Sequence, residues 1–146
     1  MATASAQSLR KLYEEDETAW LEIMADLIAR KQFSAIDYRN LSEYLTDMAK
    51  RDRREVRSRL IVLLRHLLKW HHQSEMHSTS WQNTVRHQRF ELGMLLESKT
   101  LRNYAEEILA DAYEEARKQA ADETGLKVSR FPKECSWTID DLLSDD

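Results

Sequence analysis

VRSRLIVLLRHLLKWHH, residues 56–72, is the stretch that decides the fold. Projected at about 100° per residue, its apolar side chains Val56, Leu60, Ile61, Leu63, Leu64, Leu67, Leu68 and Trp70 cover most of a helical circumference. A helix that is apolar on most of its sides belongs at the centre of a bundle. Leu63, Leu64 and Leu67 are therefore expected at that centre. Asp52-x-x-Glu55 reads as a capping box that opens the helix.

Outward from this segment the helical period continues in both directions. Tyr13, Trp20, Ile23, Met24, Leu27 and Ile28 form one apolar stripe. Asp37 is placed to cap a second helix whose stripe is Leu41, Tyr44, Leu45 and Met48. Thr79-x-x-Gln82 reads as the start of a fourth helix carrying Trp81, Val85, Leu92, Leu95 and Leu96, with Gly93 opposite that stripe. Ser98 or Thr100 caps a fifth, whose inner face runs Leu101, Tyr104, Ala105, Ile108, Ala112 and Ala116 up to a stop at Gly125. Pro132 prevents further helix in the stretch that follows, and Thr138-x-x-Asp141 caps a last short turn. Two glycines and one proline in 146 residues leave few places for the chain to break. The expected fold is all-α: a single-domain helical bundle of about five helices over residues 1–146, with residues 1–8 frayed. An irregular C-terminal tail, 126–146, is expected to be ordered and packed on the bundle through Phe131, Trp137 and Leu142.

Composition narrows the function classes. Charged residues make up 33% and apolar residues 42%, a globular balance too apolar for disorder. The net charge of −4 argues against nucleic-acid binding by bulk electrostatics. A single cysteine, Cys135, excludes an internal disulfide framework and suits a reducing compartment. The opening MATASAQSLRKLYEEDE has no apolar core of a secretory signal, and the run Leu60 to Leu64 is far too short to span a membrane. A cytoplasmic protein without membrane association is expected.

A few polar residues project onto faces that should be buried. Asp16 falls between Tyr13 and Trp20, Arg59 and His66 lie along the margin of the central helix, and Gln88 sits on the fourth stripe with Arg89 at its edge. Glu123 continues the inner face of the fifth helix. Meeting inside one bundle, these six would form either a small polar pocket or a structural network in which each charge is paired, and the pattern favours the network. No metal or other cofactor is expected. The five histidines contain no i, i+4 pair, and a combination of His71, Glu75 and His77 has no recognised ligand spacing. The basic stretch KRDRREVRSR, residues 50–59, reads as a solvated helix start rather than a nucleic-acid patch, for want of exposed aromatics beside it. Trp20, Trp70, Trp81 and Trp137 read as core anchors, each needing a partner for its indole N–H where fully buried. No nucleophile motif or phosphate-cradling glycine loop occurs.

LYEEDETAW at 12–20, the Arg59 to His66 stretch, HLLKW at 66–70, SW at 80–81, QR at 88–89, ETGL at 123–126 and FPKEC at 131–135 together resemble the bacterial Domain of Unknown Function 29 family, from about Leu12 to Leu143. Two positions depart from the family pattern. Ala49 stands where the family usually has Gly at a helix junction, which implies a smoother junction here. Ser136-Trp137 replaces a more usual Pro-Tyr in the tail. The resemblance implies a compact helical fold and no assigned reaction. The reading that follows is a non-enzymatic interaction or scaffold module with a protein partner. The alternatives are a small anionic-ligand binder or hydrolase, with His66 as general base and Arg59 and Arg89 as anion holders, and a nucleic-acid-associated protein using residues 50–59.

Overall fold

Asp16 ends one helix and begins the next. The computed structural model describes residues 5–72 and 78–145, and the first apolar stripe is carried there by two helices, α1 (Ala6–Glu15) and α2 (Glu17–Ala29), instead of one. Asp16 leaves helical geometry at φ −152° and ψ 85°, and its carboxylate accepts the N–H of Ala19 at 3.1 Å. The residue projected inward from the sequence is therefore an exposed N-cap, with Glu17 adding negative charge to the first turn of α2. At the other end of α2, Lys31 adopts φ 58° and closes the helix in place of a glycine. The N–H groups of Lys31 and Gln32 return to the carbonyls of Ile28 and Leu27, the paired bonds that satisfy the last turn.

A single turn of 3-10 helix (Phe33–Ala35) leads into α3, which runs unbroken from Tyr38 to His72. The second and third helices expected from the sequence are thus one. Asp52 and Glu55 do not open a helix. Glu55 accepts from Arg59 Nε at 3.0 Å one turn further along. A capping side chain matters only where the backbone leaves the helix, and between 38 and 72 there is no glycine or proline to make it do so. Ala49, the best helix former, occupies the expected junction, and the smoother passage it implied is a continuous helix.

Beyond α3 follow α4 (Thr79–Leu95), α5 (Lys99–Thr124), a 3-10 turn (Val128–Arg130) and α6 (Ile139–Leu143). Among the described residues there are six α-helices and no strand, so the fold is all-α with a short irregular C-terminal tail. Ser78, one residue before the expected Thr79, caps α4 by accepting the N–H of Trp81. Ser98 caps α5, Gly125 ends it in the left-handed region at φ 74°, and Thr138 and Asp141 form a complete capping box on α6.

The chain divides into two compact units, Met1–Lys50 and Arg51–Asp146. The first has its own core of Leu9, Trp20, Met24, Leu27 and Ile36, with Tyr13, Leu41 and Tyr44 packed against it. Trp20 is fully buried, and its indole N–H finds the partner it needs in Asp37 Oδ2 at 3.2 Å. Asp37, only 8% exposed, also accepts from the backbone N–H and the side-chain amide of Asn40, so it caps the start of α3 as the sequence predicts.

The second unit is built around the far half of α3. Leu60, Leu63 and Leu64 are wholly buried and Leu67 nearly so, as the apolar arc requires. Val85 and Leu92 of α4 pack in the same core. The inner face of α5 supplies Leu101 with Ala105, Ala112, Ala116, Ala120 and Ala121, and small side chains on that face let a neighbouring element approach closely. The tail completes the core with Phe131, Ile139 and Leu142. It is tied down by Tyr113 Oη donating to the Pro132 carbonyl, Arg117 Nε to the Phe131 carbonyl and Arg89 Nε to the Leu142 carbonyl.

Candidate functional site

Arg59 heads the first of two charge clusters in the second unit. It projects from α3, donates through Nε to Glu55 and through Nη1 to Gln88 Oε1 at 3.2 Å, and lies 3.9 Å from Glu91. The structure therefore joins two of the expected site residues, Arg59 and Gln88, and adds two acids that sequence projection missed. One turn-spaced acid on α3 and one on α4 neutralise the guanidinium, which suits a structural tie between helices better than an anion receptor.

Glu123 heads the second cluster. It accepts from Lys69 Nζ at 2.9 Å and lies 3.5 Å from Arg65 Nε, a buried nitrogen that makes this ion pair without hydrogen-bond geometry. Arg65 Nη1 donates to Gln119 Oε1 at 2.7 Å. Burial opposes ionisation of Glu123, but the Lys69 hydrogen bond and the Arg65 charge outweigh it and hold the carboxyl below its ordinary range. The side chain is 40% exposed, so solvent screens the cluster and its contribution to stability is small.

His66 lies between Arg65 and Lys69 in sequence, but its hydrogen bond goes to neither cluster. Its Nδ1 is 2.7 Å from the Val62 carbonyl, which can only accept, so Nδ1 carries the proton and donates. Its ring faces that of Trp81 at 5.9 Å. Burial lowers its pKa, the Val62 bond opposes, and the charges of Arg65 and Lys69 lower it further. Above the ordinary value of 6.5 the imidazole is neutral in both folded and unfolded chains. As pH falls below that value the unfolded chain takes the proton first, so stability declines until the folded value is reached. Urea unfolding at pH 7.5 and at 5.5 should show this loss, and His66→Gln should reduce it. An unchanged pH slope in the variant would show that His66 is not its source.

Arg89 belongs elsewhere. Besides the Leu142 carbonyl it lines a groove of about 600 Å³ between the end of α3 and the start of α4. Trp70 and Trp81 stack there at 4.3 Å with 20° between planes, and His71, Gln82, Arg86 and Asp145 add polar groups to the lining. Sequence reasoning missed Arg86 and weighed His71 only as a metal ligand. The available signal was the recurrence of Trp81, Val85 and Arg89 with Arg86 on one side of α4. Of the expected site residues, Asp16 belongs to the first unit and the other five to the second, where Arg59 and Gln88 meet and His66, Arg89 and Glu123 fall into separate settings. Glu75 and His77 lie outside the described residues. Among the described residues no group of three acids, histidines or cysteines has metal-binding proximity, and no helix is long and apolar enough to cross a membrane. Cys135 donates to the Trp137 carbonyl, and burial pushes its thiol pKa up, away from thiolate chemistry.

These features define an all-α protein whose two charge clusters are internally paired and whose two units each hold a separate core. The chain belongs to the family described as Domain of unknown function DUF29, which it matches over residues 12–146. No curated protein and no solved structure matches it.

Proposed function

We propose that the protein is a non-enzymatic interaction module that receives a protein partner on the outer face of α4. The observation that carries this reading is the pair Phe90 and Met94, one helical turn apart and 63% and 55% exposed. Single exposed apolar residues are ordinary, but two large ones side by side on a helix form a patch. Gly93 widens it. A Cβ at this position would meet nothing within 4 Å, so no contact within the described residues requires glycine. Yet glycine inside a helix costs about 1 kcal/mol relative to alanine. A partner that approaches the backbone at this turn would account for the residue.

The test is quantitative affinity capture from the organism that encodes the protein, with wild-type and Phe90→Ser/Met94→Ser proteins as paired baits. A partner retained on the wild type and lost on the variant supports the reading. Identical capture profiles on two equally folded baits would remove it. Gly93→Ala adds a second readout: it should raise stability by about 0.5–1 kcal/mol while weakening capture.

A further inference from the structure

The groove between α3 and α4 differs from the charge clusters in that its arginines form no ion pair among the described residues. Arg86 is exposed and forms no ion pair or hydrogen bond among the described residues. Arg89 commits Nε to a neutral carbonyl and pairs with no carboxylate among the described residues. Among the described residues the one acid lining the groove is Asp145. Two guanidinium groups three residues apart on a helix thus face one opening, in a chain whose net charge is −4. The apolar part of the lining is the stacked Trp70–Trp81 pair with Leu67 and Val85. At about 600 Å³ the space lies within the range of small-molecule sites, which combine an apolar lining with a few convergent polar groups.

We propose that this groove binds a small planar anion, a ring system bearing a carboxylate, sulfonate or phosphate group. The ring packs against the tryptophan pair, and the anionic group is held by Arg86 and Arg89. Guanidinium is suited to this, because it makes forked hydrogen bonds to planar or tetrahedral oxyanions and is only weakly hydrated. The site is distinct from the His66, Arg59 and Arg89 pocket suggested by the sequence: His66 and Arg59 are absent from its lining, and Arg86 takes their place as the anion-holding group.

Anilinonaphthalene sulfonate, a planar aromatic anion, is the probe, with uncharged N-phenylnaphthylamine as its control. The intact protein should bind the sulfonate saturably at one site, with energy transfer from tryptophan emission. Arg86→Glu should weaken binding by at least about tenfold, the loss expected for removal of one charge-assisted bond, and Arg86→Lys should recover part of it. Arg86 has no bond to lose among the described residues, so the variants should keep the wild-type melting temperature. Phe90→Ser, outside the groove, should bind the sulfonate as the wild type does. The proposal is overturned by any of three results: no saturable binding, equal affinity for the uncharged control, or an affinity that falls in Phe90→Ser and not in Arg86→Glu.

Discussion

Leu64→Ala should lower the unfolding free energy by about 2–5 kcal/mol, the range expected for truncating a fully buried leucine. Leu64 is wholly buried, and its core is filled from α3, α4, α5 and the tail. Truncation removes transfer free energy and leaves a void that neighbours on rigid helices fill only in part. The alanine face of α5 aggravates this, since side chains that end at Cβ have no rotamer with which to follow. Leu45→Ala supplies the contrast. Leu45 is more than half exposed, and its truncation should stay within about 0.5 kcal/mol. Urea unfolding of both variants checks the pair, and equal midpoints would deny Leu64 its central place.

Asp37→Ala should cost about 1–3 kcal/mol and act on the first unit. Two functions disappear with one carboxylate. The fully buried indole N–H of Trp20 loses its acceptor, and α3 loses the side chain that caps its first turn. Burial makes the first loss the larger, because an unsatisfied buried donor has given up water without compensation. Asp37→Asn retains one acceptor oxygen and should fall between alanine and wild type. Hydrogen exchange at the Trp20 indole, followed by NMR, reads the effect directly. Exchange in Asp37→Ala as slow as in the wild type would show that the bond does not protect it.

Much of the fold is legible in the sequence because its signals are local. The wide apolar arc of 56–70, Gly125 at the end of α5 and the Thr138–Asp141 box each act within a turn or two, and each stands as read. The misreadings share a cause. Aspartate serves equally as a cap, an ion-pair partner and a buried acceptor, and the surrounding backbone decides among these. At Asp16 the apolar period continues on both sides, which hid a break that the neighbouring Glu17 could have suggested. At Asp52 a plausible cap stands where nothing interrupts the helix. At Asp37 the capping role is visible from spacing, whereas the bond to Trp20 joins residues seventeen apart in sequence and is set by tertiary packing.

The candidate site was legible only in pieces. Projection marks Arg59, Gln88 and Glu123 as polar groups near the core but assigns them no partners, and Glu91, Lys69 and Arg65 become relevant only once helices are packed. Arg86 looks like any solvated arginine until Trp70 and Trp81 are found stacked beside it.

The two cores also differ in when a growing chain can assemble them. The buried residues of the first unit lie between Leu9 and Ile36, with Tyr44 the most distant residue packed against them, so all its material is present early. Those of the second extend from Val56 to Leu142. At ribosomal rates of about 5–20 residues per second, several seconds or more separate the emergence of Tyr44 from that of Leu142. From their own emergence to the end of that interval the leucines of α3 lack Phe131, Ile139 and Leu142, which share their core. The tail is thus the closing piece of the second unit, and the nascent chain presents its most apolar helix incompletely covered until that piece arrives.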